Sequence, residues 1–131
     1  MIVVDASVLA NALGDDQADG ARARAELSAA GELAGPDLVD VETVAVLRKR
    51  WIAGTLAARR FAAAVDDLAD LPLTRYPTLP FVRRAYDLRS TVTAYDAAYV
   101  ALAEALDCEL ITADDRLSKT PGIRCAVRVL R

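Results

Sequence analysis

The sequence contains no histidine, and this absence narrows the chemistry open to the chain. Ser-His-Asp and Cys-His catalysis both need an imidazole that gains and loses a proton near neutral pH. Zinc sites with histidine ligands are excluded for the same reason. Any reaction that this chain carries out must therefore use carboxylates, hydroxyls, arginine, lysine or a bound cation.

Long apolar segments are also missing, because Arg, Asp or Glu interrupts each one before it reaches membrane-spanning length. No basic leader followed by an apolar stretch marks a signal peptide, so we expect a cytoplasmic protein with no membrane partner. The spacing of Cys108 and Cys125 is not that of a metal site, which favours two reduced thiols over the alternative of a disulfide. The net charge of −3 argues against a broad phosphate-binding surface.

The chain has 131 residues, the length of one ordinary domain, and 54% of them are hydrophobic. We therefore expect a single domain over residues 1–131. Apolar and turn patterns predict strands at 2–4, 33–35, 71–76, 108–112 and 123–130. They predict helices at 6–13, 18–30, 36–52, 56–68, 79–89 and 94–106, with Asp37 as the N-cap of the third. Strands that alternate with helices indicate an α/β sandwich around a largely parallel sheet.

Two of the predicted strands are followed by an acid. In "VVDAS" Asp5 directly follows the first strand, and in "LITAD" Asp114 lies two residues beyond the other strand, with the hydroxyl residues Ser7 and Thr112 nearby. The carboxyl ends of parallel strands share one edge of a sheet, and ligands bind at that edge in open α/β folds. The alternative is that each acid only caps the helix or turn that follows it.

Two further acids lie on predicted helices. Glu42 has apolar neighbours one helical turn away, which places a carboxylate inside an apolar stripe, although a surface glutamate is the alternative. Asp96 lies in the first turn of its helix, where the helix dipole alone would also account for it. Converging carboxylates repel one another unless a cation lies among them, and Mg²⁺ or Mn²⁺ prefers oxygen ligands. Such an ion activates water for attack on a phosphodiester.

These motifs, in this order, resemble the PIN-domain nucleases, and in particular the VapC-type toxin ribonucleases of bacterial toxin–antitoxin pairs. The similarity rests on "VVDAS", "GPDLVDVETVAVLRK", "YDAAYVALAEAL" and "ELITADDRL", which together span nearly the whole chain. The resemblance implies a three-layer PIN-like sandwich, with a mainly parallel sheet ordered 3-2-1-4-5 and helices on both faces. It also implies a homodimer and a cognate antitoxin whose tail covers the active site.

The resemblance further implies a function and a set of residues for it. The chain is expected to be a metal-dependent endoribonuclease that hydrolyses RNA with Mg²⁺ or Mn²⁺. Its catalytic and metal-binding residues would be Asp5, Glu42, Asp96 and Asp114. Ser7 and Thr112 would support them.

The chain departs from the family pattern at one position near the fourth acid. Relatives often carry another acid two residues beyond the place of Asp114, where this chain has Arg116, while Asp115 is displaced by one. The number of metal ions is therefore open. Arg116 is interpreted either as a contact for a substrate phosphate or as a solvated surface arginine.

Two other functional classes stay open from the residues alone. A non-enzymatic binding module would use the same acids to pair with arginines of another protein. A receiver-like phosphoacceptor domain would also bind Mg²⁺ through acids at strand ends. That class needs a lysine after a later strand, and Lys119 is predicted to lie in a turn.

Overall fold

A computed structural model describes residues 1–131, which form a five-stranded sheet and six α-helices. The strands are β1 Ile2–Val4, β2 Leu33–Pro36, β3 Leu73–Tyr76, β4 Glu109–Thr112 and β5 Val127–Val129. The helices are α1 Ala6–Gly14, α2 Ala18–Ala29, α3 Val39–Ile52, α4 Ala58–Asp70, α5 Val82–Asp87 and α6 Ala94–Leu106. The strand order is β3-β2-β1-β4-β5 and every neighbouring pair is parallel, which confirms the predicted sheet.

The path of the chain places helices on both faces of this sheet. From β1 the chain moves outward to β2 and β3, and then it returns across β1 to form β4 and β5. Parallel crossovers are right-handed, so a reversal of direction moves the connecting helices to the opposite face. Consistent with this, α1 packs against α2, α3 and α4, whereas α6 packs against α5 and three strands. None of the helices is both long and apolar enough to span a bilayer.

The central strands and the helices beside them form one continuous apolar core. Val3, Val4, Leu110 and Ile111 on β1 and β4 are fully buried, and α6 is buried from Ala97 to Ala103. Strands covered on both faces are rich in consecutive apolar residues, such as Ile2–Val4 in β1 and the Leu110–Ile111 pair in β4, which is why these two were predictable. Gly20, inside α2, is required by packing, because a Cβ there would collide with the backbone carbonyl of Asp15.

The predicted start of the third helix was wrong. Pro36 belongs to β2, α3 begins at Val39, and its N-cap residue is Leu38 rather than Asp37. The Asp37 carboxylate instead accepts hydrogen bonds from the backbone amide, at 3.2 Å, and the hydroxyl of Thr78. Asp37, which was predicted to cap its own helix, therefore binds the loop after β3 instead.

Other predicted elements also differ in extent: the strand expected at 71–76 begins at Leu73, and the helix expected at 56–68 runs from Ala58 to Asp70. Two more are clearly shorter in the structure. The helix expected at 79–89 is divided into a 3-10 turn, Leu79–Phe81, followed by α5. The final strand was expected at 123–130 but is limited to β5, and the backbone amide of Arg124, before this strand, donates to Glu104 at 2.8 Å. Both cysteines are half-buried free thiols.

Candidate active site

The reversal of the chain creates a crevice at the carboxyl edge of the sheet, between β1 and β4. Strand order changes direction at this point, and ligands of open α/β sheets bind there. The N-termini of α1, α3 and α6 also face this edge, because α1 and α3 directly follow strands and α6 directly precedes β4. Helix N-termini carry partial positive charge, so the edge favours acidic groups.

Asp5 is fixed by two hydroxyls at the bottom of this crevice. Its Oδ2 atom accepts a hydrogen bond from the Ser7 hydroxyl at 2.7 Å and another from the Thr112 hydroxyl at 2.8 Å. Asp5 holds the N-cap position of α1, but its side chain makes no capping hydrogen bond. The carboxylate is therefore oriented toward β4, and the simple capping alternative does not describe it.

The same two hydroxyls also connect Asp5 to the segment that follows β4. The Ser7 hydroxyl accepts from the backbone amide of Ala113 at 3.1 Å, and the Thr112 hydroxyl accepts from the backbone amide of Asp114 at 3.0 Å. Each hydroxyl thus donates to Asp5 and accepts from the chain next to Asp114. Thr112 is fully buried, so no water competes for its hydroxyl.

Glu42 enters the crevice from the first turn of α3 and lies partly buried. Its Oε1 atom is buried without a hydrogen-bond partner, and so is the hydroxyl of the buried Tyr99 on α6. Burial raises the pKa of Glu42, and the negative charges of Asp5 and Asp96 raise it further, while the nearby Tyr99 hydroxyl acts in the opposite direction. The surface-glutamate alternative is therefore wrong.

Asp96 approaches the same crevice from the first turn of α6. Its backbone amide donates to the Thr93 hydroxyl at 3.2 Å, so Thr93, and not Asp96, is the cap of this helix. Burial raises the pKa of the Asp96 carboxyl, and the charges of Asp5 and Asp114 raise it as well. Asp96 is thus within electrostatic range of two other acids of the set.

Asp114 differs from the other three acids because it is already paired with a cation. Its carboxylate accepts from Nε of Arg116 at 2.8 and 3.1 Å and from the Arg116 backbone amide at 3.0 Å. These hydrogen bonds lower the pKa of Asp114. The carboxylate of Asp115 lies 3.5 Å from the guanidinium of Arg131, and Asp115 lines a shallow pocket together with Ser7 and Asp114.

The structure thus brings the four predicted acids to one edge of the sheet from four separate segments. They influence one another electrostatically, yet no three acidic or cysteine side chains form a group tight enough to coordinate one ion as they stand. Mutual repulsion and the hold of Arg116 on Asp114 oppose closer approach. The donor set consists only of oxygens, and the unpartnered Oε1 of Glu42 is a buried acceptor, so the residues fit a hard divalent cation.

Tyr99 is the residue of this region that the sequence did not single out. It lies three residues after Asp96, on the same face of α6, and its ring is fully buried beside Glu42. Within an apolar helix a tyrosine looks like an ordinary core residue. The spacing from Asp96 was the only local signal that its hydroxyl points toward the acids.

Comparison with known proteins places these features in a family. The family model for the PIN domain matches residues 2–123. Ribonuclease VapC9 of Mycobacterium tuberculosis is 44% identical over 131 residues, which cover 99% of this chain and 98% of that protein. Ribonuclease VapC1 of the same organism is 38% identical over 130 residues, which cover 98% and 97% of the two chains.

Solved structures share the fold. A crystal structure of M. tuberculosis VapC20, described as a Sarcin-Ricin loop cleaving toxin, has a TM-score of 0.70 at 16% identity and covers 95% of this chain and 99% of that chain. VapBC2 from Rickettsia felis, bound to a DNA fragment from its promoter, has a TM-score of 0.69 at 14% identity, with both chains fully covered. At such low identity these two structures support only the assignment of the fold. The family match over residues 2–123 and the relatives at 44% and 38% identity show that this chain belongs to the PIN-domain family, among the VapC ribonucleases.

Proposed function

We propose that this chain is a metal-dependent endoribonuclease that hydrolyses RNA phosphodiester bonds and acts as the toxin of a toxin–antitoxin pair. The observation that carries this proposal is the convergence of Asp5, Glu42, Asp96 and Asp114 at the switch point of the sheet. These carboxylates make the crevice negatively charged. The chain has no histidine that could act as a general base there. Membership of the VapC ribonucleases supports the same reaction.

Mg²⁺ or Mn²⁺, when bound, would supply charge neutralisation and a more acidic water for attack on the phosphodiester. Asp5, Glu42 and Asp96 would hold the ion, because each offers a carboxylate with no cationic partner of its own. Ser7 and Thr112 keep the Asp5 carboxylate in one orientation through hydrogen bonds of 2.7 and 2.8 Å. This support lowers the cost of ordering the site before an ion arrives.

The partners belong to the same proposal. We infer a cognate antitoxin and a homodimer, and the surface offers apolar area for both. One groove of about 420 Å³ between α3 and α4 is lined by Trp51 and Phe61, whose ring centres are 6.4 Å apart. On the other side, Leu79 is 77% exposed and Tyr95 is 65% exposed. A protein that acts on RNA in this way would work in the cytoplasm, as one unit over residues 1–131.

A cleavage assay tests the proposed reaction. Purified wild-type protein is incubated with a mixed RNA substrate and Mg²⁺, with and without EDTA, beside two variants. Asp5→Asn removes a charge from the crevice but keeps an acceptor for Ser7 and Thr112, so it should fold normally and lose cleavage. Asp67→Asn, at an exposed position on α4, is the matched control and should cleave like the wild type. If Asp5→Asn cleaves at the wild-type rate, the assignment is wrong.

A further inference from the structure

The guanidinium of Arg116 donates hydrogen bonds to both carboxylate oxygens of Asp114, one of the four acids. Its Nε lies 3.1 Å from Oδ1 and 2.8 Å from Oδ2 of Asp114, and a second guanidinium nitrogen also donates to Oδ2. The backbone amide of Arg116 adds a bond of 3.0 Å to Oδ1. The side chain of Arg116 is 82% exposed, so core packing does not dictate this pairing.

The other three acids have no such partner. Oδ2 of Asp5 accepts only from neutral hydroxyls, Oε1 of Glu42 is buried and unpartnered, and Asp96 forms no ion pair. Asp114 is therefore the one member of the set that forms an ion pair within the chain. The charge of Arg116 also acts to lower the pKa of Asp96, but without an ion pair between the two side chains. A carboxylate held through both oxygens by a guanidinium has little capacity left for a divalent ion.

From this asymmetry we propose that Arg116 takes the place of a second cation, so that the site binds a single divalent ion through Asp5, Glu42 and Asp96. The inference rests on the proposed function, since it assumes that the crevice holds metal. Four carboxylates and one guanidinium carry three net negative charges. One divalent ion reduces this to a single negative charge, whereas two ions would make the site positive and would bring the second ion against the guanidinium.

Isothermal titration of the metal-free protein with MnCl₂, without RNA, measures the number of ions directly. The informative variant is Arg116→Asp, which releases Asp114 and adds a carboxylate beside it. The matched control is Arg83→Asp, because the Arg83 side chain is 83% exposed and is also paired with an aspartate, Asp87, at 3.8 Å. We expect one Mn²⁺ for the wild type and the control and two for Arg116→Asp.

The affinity of the first ion gives an independent reading. Arg116→Gln removes the positive charge without adding an acid, so it should tighten binding of the first Mn²⁺ by roughly threefold to tenfold. All of these positions are exposed, and thermal unfolding without metal verifies that each variant is folded.

The outcomes separate this inference from the proposed function. Two Mn²⁺ per wild-type chain, or a single Mn²⁺ in Arg116→Asp, would overturn the role of Arg116 while leaving a metal-dependent nuclease in place. If the wild type binds no Mn²⁺ and cleaves no RNA, the proposed function fails together with this inference.

Discussion

Replacing Thr112 with valine isolates the contribution of one buried hydroxyl, because valine has nearly the same shape as threonine. The hydroxyl donates to Oδ2 of Asp5 at 2.8 Å and accepts from the backbone amide of Asp114 at 3.0 Å. The residue is fully buried, so no water can replace either bond at the threonine itself. The change therefore removes a donor to a charged group and an acceptor for the chain.

The expected cost follows from these two bonds. A hydrogen bond to a charged group contributes about 1.5–3 kcal/mol to stability. The Asp114 amide loses its partner too, which places the total cost toward the upper part of that range. Ser7 continues to hold Asp5 at 2.7 Å. Thr112→Val should thus lower the free energy of unfolding by about 2–3 kcal/mol.

Urea unfolding of the metal-free protein measures this quantity, with Thr112→Ser as the control. Serine keeps the hydroxyl and loses only a methyl group, which costs about 1 kcal/mol in a packed core. The reasoning is refuted if Thr112→Val is as stable as the wild type, or if Thr112→Ser is destabilised as much as Thr112→Val. Either result would mean that the hydroxyl does not hold Asp5.

Two other predictions concern the environment of Glu42. Its raised pKa means that the folded chain binds more protons than the unfolded chain above about pH 4. Burial of the charged carboxylate, together with repulsion from Asp5 and Asp96, therefore costs stability as pH rises through the raised value. Urea unfolding over a pH series should show Glu42→Gln gaining stability relative to the metal-free wild type as pH increases, and a constant difference would contradict this. Tyr99→Phe removes the group that lowers the pKa of Glu42. Without that hydroxyl the Glu42 carboxyl keeps its proton to a higher pH, and a protonated carboxyl does not bind Mn²⁺. Mn²⁺ binding by Tyr99→Phe should therefore weaken more at pH 6 than at pH 8, and equal weakening at both would exclude the role of the hydroxyl.

Features encoded by neighbouring residues were predictable. The apolar residues of β1 and β4 lie within a few residues of the acids that follow them, so both the strands and the positions of Asp5 and Asp114 could be read from the sequence. The strand order came from family resemblance, because local patterns do not say which strands are neighbours. The structure then placed all four acids at the edge that this order creates.

What could not be predicted depends on partners far apart in the chain. Asp37 bonds to Thr78 across a loop, and the amide of Arg124, just before β5, bonds to Glu104 on α6. The unpartnered hydroxyl of Tyr99 depends on how α3 and α6 pack together. The partner of Arg116 is only two residues away, yet the pairing could not be predicted. The local sequence does not show with which of the nearby acids an exposed arginine forms an ion pair.

The central claim is that the acids at the carboxyl edge form a site for a divalent cation. Titrating Mn²⁺ while recording the thermal unfolding midpoint tests it most directly, because an ion that binds only the folded chain adds about 2.7 kcal/mol of stability at a hundred times its dissociation constant. The account predicts a midpoint that rises with Mn²⁺ in the wild type and in Asp67→Asn but not in Asp5→Asn. A midpoint that stays flat in the wild type, or that rises equally in Asp5→Asn, would contradict it.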